Sequence, residues 1–143
     1  MNVATILKAK GTDVATVSSD TKISAVAGTM KDQVIGALVV TGHDARLLGI
    51  ISERDIVHGL VEHGRDLVDA RVGDLMTVDV LTCAPEDRIT KLMARMTERR
   101  IRHLPVVEDG ALCGIVSIGD VVKNRLDEIE AEASALREYV TTA

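Results

Sequence analysis

The chain has almost no aromatic side chains: no Phe, no Trp and one Tyr, Tyr139, among 143 residues. A core must therefore be assembled from Val, Ile, Leu, Ala and Met. The aromatic platforms on which single-stranded nucleic acids stack are missing. Cysteine is equally sparse. Cys83 and Cys113 show neither metal-ligand spacing nor a disulfide framework, which points to a reducing compartment. Positive charge is outweighed: 17 Lys and Arg against 22 Asp and Glu leave a net charge of −5, which disfavours nucleic acid and anionic membranes as partners. Long apolar runs are absent too. Val34 to Val40 amounts to about a third of a membrane span, and the amino terminus lacks a signal-peptide segment. The expected location is cytoplasmic, with no membrane partner. His43, His58 and His63 have no His/Cys grouping with zinc spacing, so no metal site is expected. No phosphate loop, Gly-x-Gly-x-x-Gly or nucleophile elbow occurs, and no nucleophile–base arrangement is visible, so the chain reads as a non-enzyme.

What the chain does have is apolar bulk, 46 % of residues, arranged in a pattern that occurs twice. Asp20 is expected to cap a helix with Ile23, Val26, Ala27 and Met30 at helical spacing. Val34 to Val40 reads as a buried strand, Gly42 and Asp44 as a turn, and Leu47 to Ile51 as a second strand. Ser52 opens a helix with Ile56, Val57, Leu60 and Val61 on its apolar side, and a short helix is expected around Val72 to Met76. The order then returns. Asp79 to Cys83 matches Asp13 to Val17, and Pro85 stands where a helix is expected to begin. Ile89, Leu92, Met93 and Met96 each lie 66 positions after their counterparts, as does Leu104 to Val106 after Leu38 to Val40. The Glu108-Asp109-Gly110 turn is a strong hairpin signal. Beyond it Gly114, Ser117 and Asp120 match Gly49, Ser52 and Asp55 at an offset of 65, one loop being a residue shorter. A half of this size is marginal alone. The expected architecture is therefore two α/β (α+β) halves of helix-strand-strand-helix type, packed sheet to sheet about a pseudo-twofold axis, with crevices between them.

GIISERDIV at Gly49 to Val57 and GIVSIGDVV at Gly114 to Val122 carry a resemblance, supported by MTVDVLTCAPEDRI at Met76 to Ile89 and RHLPVV at Arg102 to Val107. The chain resembles the tandem cystathionine-beta-synthase (CBS) domain pair, or Bateman module. The resemblance implies a first CBS domain at residues 7–62, a linker at 63–70, a second domain at 71–124 and an extended C-terminal helix and tail at 125–143. It implies a non-catalytic regulatory module that binds an adenosyl ligand between its repeats: AMP, ADP or ATP, with S-adenosylmethionine or NAD(H) as alternatives. It also implies a homodimer that requires no cofactor and signals to a separate regulated protein. Carried over by position, Asp55 and Asp120 would accept hydrogen bonds from ribose hydroxyls, and Ser52 and Ser117 would touch phosphate or ribose. Leu81 and Ile101 would line adenine in the Asp55 pocket, and Ala15 and Ile35 in the Asp120 pocket. Arg102 and His103 would face phosphate, with Arg54 a further candidate. Their first-half counterparts, Gly36 and Ala37, offer no side-chain donor, so the two sites are expected to be unequal.

A plainer reading stands beside this one. Ser-x-x-Asp is also an ordinary helix cap worth about 1 kcal/mol, and Arg99, Arg100 and Arg102 suit a helix carboxyl end. Both cysteines match apolar positions, Val17 and Leu48, and read as small core residues. A structural or interaction dimer without a functional ligand site is thus the alternative. Val122, Leu126, Ile129, Ala133, Leu136 and Val140 recur at spacings of 4 and 3 on one long helix. That stripe either packs on its own domain or contacts a second copy.

Overall fold

The repeat is carried in the backbone register. The computed structural model describes residues 1–142; Ala143, the end of the expected tail, lies outside them. Strand β1 (Thr16–Val17) runs parallel to β2 (Ala37–Thr41), with Val17 opposite Val40. At the same offset from each, Cys83 forms a parallel bridge to Val106. The Cys83 amide donates to the Pro105 carbonyl at 3.0 Å, and the Val107 amide to the Cys83 carbonyl at 2.9 Å.

The chain forms two units. One comprises residues 13–81 with 108–113. Its sheet has the order β1-β2-β3, with β2 antiparallel to β3 (Leu47–Ser52). Around it lie α2 (Ile23–Gln33), α3 (Glu53–His63), a 3-10 turn (Gly64–Asp69) and α4 (Val72–Leu75). Ile23, Val26 and Met30 of α2 pack with Leu38, Val40 and Ile51 of the sheet and with Leu67 and Val72. The stretch 63–70, a connector by sequence, thus sends Leu67 into this core. The other unit comprises residues 1–12, 82–107 and the chain from Gly114 on. It contains α1 (Val3–Lys10), α5 (Ile89–Arg99), α6 (Ile118–Thr142) and most of β4 (His103–Glu108) and β5 (Ala111–Ser117), which form a two-stranded sheet. Its buried side chains are aliphatic or sulfur-bearing, among them Ile6, Cys83, Ile89, Leu92, Met96, Leu104 and Val121. The β4–β5 turn has positive φ at Asp109 (51°) and Gly110 (79°), as an Asp-Gly hairpin requires. No helix among the described residues is long and apolar enough to cross a membrane.

Four local expectations change. Asp20 does not cap α2. Ser18 closes a turn instead, its carbonyl accepting the Thr21 amide at 3.1 Å, and α2 starts at Ile23. Pro85 likewise sits at the second position of a turn in which the Asp87 amide reaches the Ala84 carbonyl at 3.1 Å, and α5 starts at Ile89. Proline fits that turn position as well as a helix start, because both use its fixed φ. Val34 is not strand. It ends α2 in the left-handed region (φ 54°) and is 89 % exposed, while the Ile35 amide closes back on the Met30 carbonyl at 3.1 Å. Arg100 and Ile101 repeat this helix ending on Met96. Finally, α3 buries Gly59 and half-buries Ile56, but leaves Val57, Leu60 and Val61 exposed. A Cβ on Gly59 would lie 2.9 Å from Leu67 Cδ1 and closer still to Leu75, so this glycine is what lets α3 settle on that face.

Gly49 is the tightest point against backbone. A Cβ there would lie 2.6 Å from the Thr77 carbonyl oxygen, whose strand segment exchanges hydrogen bonds with Ile50 at 2.9 and 3.0 Å. Gly49→Ala is therefore expected to lose about 1–3 kcal/mol of unfolding free energy in urea. Gly28→Ala, in open space on α2, is expected to gain about 0.5–1 kcal/mol. Equal stability of Gly49→Ala and wild type would show that the Thr77 segment is not held this close.

Candidate functional site

Each Ser-x-x-Asp element sits where a strand end becomes a helix start, and the local chemistry explains why. In the first unit β3 ends at Ser52 and α3 begins at Glu53. The Ser52 amide and hydroxyl donate to Asp55 Oδ2 at 2.9 and 3.0 Å, and the Asp55 amide donates to Ser52 Oγ at 3.4 Å. In the second unit the Ser117 amide donates to Asp120 Oδ2 at 2.9 Å and the Asp120 amide to Ser117 Oγ at 3.2 Å. These are reciprocal caps, so the plainer reading of the motif holds at both places. The carbonyls that take the first helical amides also correspond: Gly36 accepts from Glu53 at 3.0 Å, and Arg102 from Ile118 at 2.8 Å. Gly36 and Arg102 thereby stand beside the two helix starts, each within its own unit.

Capping uses one carboxylate oxygen, and the groups reaching the carboxylates from the opening segment of the other repeat differ. Thr77 Oγ1 donates to Asp55 Oδ1 at 3.2 Å. Lys10 Nζ lies 2.5 Å from Asp120 Oδ2 and 2.9 Å from the Ile115 carbonyl. A neutral hydroxyl thus meets one aspartate and an ammonium the other. For Asp120, burial works to raise the pKa. The Lys10 hydrogen bond and charge, with the Ser117 amide and side chain, outweigh it and hold the carboxyl below its ordinary value. An ionised carboxylate offers about four acceptor positions, so each helix start still presents acceptor capacity to a hydroxyl-bearing ligand.

Of the other candidate residues, Ala15 and Ile35 lie half-buried against the core of the first unit, and the Ala15 carbonyl accepts the Val39 amide at 3.1 Å. Ser52, Arg54, Asp55, Gly36 and Leu81 belong to that unit as well. Ile101, Arg102, His103, Ser117 and Asp120 belong to the other, where Arg102 is exposed and Ile101 and His103 are half-buried. Thr77 and Lys10 were not among the sequence candidates. The signal for Thr77 lies in the MTVDV segment, and that for Lys10 in the corresponding opening stretch of the first repeat, where Lys10 matches Met76. Cys83 is buried. Burial, followed by the nearby Glu108 charge, pushes the Cys113 thiol upward, which keeps it protonated and poorly nucleophilic.

Comparison with known proteins identifies the duplicated fold. The CBS domain family matches residues 9–62 and again 72–127. The mitochondrial CBS domain-containing protein CBSX3 of Arabidopsis thaliana is 39 % identical over 127 residues, 86 % of this chain and 61 % of its own length. The present chain thus spans less than two thirds of that relative. The crystal structure of the CBS-domain containing protein ATU1752 from Agrobacterium tumefaciens aligns with a TM-score of 0.85 at 44 % identity, covering 87 % of this chain and 92 % of that one. The CBS domain pair of protein MJ0100, described in complex with 5′-methylthioadenosine and S-adenosyl-L-methionine, aligns at 0.76 over 86 % of this chain and 98 % of its own. At 24 % identity it speaks for the fold alone.

The Lys10–Asp120 pair has a pH signature. Because the folded carboxyl is held below 3.8, the ordinary value, its contribution is complete above 3.8 and is lost as pH falls through the folded value. Lys10→Met is expected to cost about 0.5–1 kcal/mol at neutral pH, a figure discounted for solvent exposure. The loss should shrink toward zero in acid when melting is followed by circular dichroism. A deficit equally large on both sides of 3.8 would mean that packing, not charge, is what Lys10 supplies.

Proposed function

The chain belongs to the CBS-domain family and carries two of its repeats, and from that premise we propose a non-catalytic regulatory module that binds an adenosyl ligand, of the AMP, ADP or ATP class, at its Ser-x-x-Asp helix starts. In this reading the protein is a cytoplasmic homodimer that passes metabolite or energy state to a separate protein. The ligand class is the one that the family resemblance implies, and the assignment to particular residues rests on this chain's own chemistry.

The observation that carries the proposal is the pair of anchored carboxylates. A ribose presents two vicinal hydroxyl donors, and a charge-assisted hydrogen bond to an ionised carboxylate contributes about 1.5–3 kcal/mol. Asp55 is oriented by Ser52 and touched otherwise by the Thr77 hydroxyl, a group able to donate or accept and so to join a ligand network. At Asp120 an incoming ribose must compete with the Lys10 ammonium. Asp55, with Ser52, Arg54 and Leu81, is therefore the stronger ribose-binding element, and Asp120, with Ser117, the weaker. Arg102 and His103 are the proposed phosphate-facing donors. Ile101, Ala15, Ile35 and Gly36 complete the proposed contact set. The occupied state of Asp120 also favours the second reading at one helix start: a position kept as a cap and ion pair without ligand.

Calorimetric titration with AMP, ATP, S-adenosylmethionine and NADH tests this, with native mass spectrometry of freshly purified protein to detect retained ligand. One tight binding event is expected. Asp55→Ala should weaken it at least about tenfold, the equivalent of roughly 1.4 kcal/mol, whereas Asp120→Ala should leave it in place. Lys10→Met should strengthen or reveal a second event. If no compound gives heat or a melting shift, the module is structural. If both aspartate variants bind as wild type, ribose is held elsewhere.

A further inference from the structure

Helix α6 runs to Thr142, well past residue 127, where the family match ends. One side of it is anchored. Val121 is fully buried, and the terminal ammonium of Met1 lies 3.5 Å from Glu128 Oε1. The other side bears Val122, Leu126, Ile129, Ala133, Leu136 and Val140. Leu126, Leu136 and Val140 are 61 %, 64 % and 68 % exposed, so this chain does not cover its own stripe. The helix packs on its own unit through its other side, and the stripe itself, one of whose two outcomes open from sequence was to pack there, is left largely uncovered.

We propose that this stripe pairs with the same stripe of a second copy of the chain, as a short parallel, in-register two-helix zipper. The charge pattern commits to that occupant and that direction. The stripe has the 4-3 spacing of a heptad seam, with Val122, Ile129 and Leu136 in one kind of layer and Leu126, Ala133 and Val140 in the other. Arg125 and Glu132 flank it on one edge, Glu130 and Arg137 on the other. In a parallel pair each residue of the first edge meets the next residue along the partner's second edge. Arg125 then faces the partner's Glu130, and Glu132 faces the partner's Arg137; symmetry repeats both attractive pairs. A full-length antiparallel pair would set Leu126 against the partner's Leu136. It would place Glu130 near the partner's Glu130, Glu132 near the partner's Glu132, and Lys123 near the partner's Arg137, all repulsive. A zipper of this length is marginal by itself, which suits an element joining two already folded chains. The inference rests on the homodimer of the proposed function and is independent of its ligand.

Sedimentation equilibrium of the full chain tests it. Leu136→Glu should raise the dimer dissociation constant at least tenfold with an unchanged circular dichroism spectrum. Glu132→Arg should weaken the dimer, and adding Arg137→Glu should restore it. Leu136→Cys should cross-link to dimer under mild oxidation, above a wild-type background in which Cys83 is buried and Cys113 half-buried. A monomeric wild type overturns the proposal. So does a Leu136→Glu dimer of unchanged affinity, or Leu136→Cys chains that link only to Leu126→Cys chains. Nucleotide titration of a monomeric variant keeps the two proposals apart: retained binding with lost dimer supports the zipper, whereas wild-type protein that dimerises but binds no nucleotide removes only the ligand reading.

Discussion

Each unit is held by the close approach of the opening segment of one repeat to the strand that ends at the Ser-x-x-Asp element of the other. At Gly49 the Thr77 carbonyl occupies the space where a Cβ would stand, and at Gly114 the nearest atoms to that space are the Leu7 methyls, at 2.7 and 3.1 Å. The two contacts differ in stiffness, since backbone at Gly49 cannot yield as the end of a leucine side chain can at Gly114. With the segments so placed, Thr77 and Lys10 come within reach of the capping carboxylates. Through them the two caps acquire different neighbours, a hydroxyl at Asp55 and an ammonium at Asp120.

The duplication left two frames with equal backbone chemistry and unequal side chains. Both aspartates are oriented by the same reciprocal serine bonds, so their geometry as acceptors is nearly the same. Their electrostatic surroundings are not, because a hydroxyl meets one and an ammonium the other. Gly36 and Arg102 mark the same divergence from the neighbouring strand. A duplicated frame therefore need not imply duplicated affinity.

Much of this was legible in sequence because it rests on offsets. The helices of the two repeats, the equivalence of Cys83 with Val17 and of Val106 with Val40, and the Asp109-Gly110 turn all follow from spacing and turn chemistry. What was not legible depended on competition between signals of similar strength. Val34 is β-branched and apolar and reads as strand, yet the helix ending on Met30 claims it. Asp20 and Pro85 suit turns as well as helix starts, and the Ser18 and Ala84 turns claim them. The apolar side of α3 was assigned by counting hydrophobic residues. A glycine decided the face, because close packing on Leu67 and Leu75 needs a missing side chain. Thr77 and Lys10 escaped because each contact joins residues far apart in the chain.

Helix α6 begins directly after Ser117, at the reciprocal cap that Ser117 and Asp120 form, and continues without interruption for 25 residues, about 37 Å at about 1.5 Å per residue. The stretch beyond Glu128, about 21 Å of that length, extends past the Met1–Glu128 pair that fastens the helix to its own unit. The rigid element that carries the Asp120 cap at one end thus carries, at the other, a surface its own unit leaves bare, like a bolt threaded at one end only.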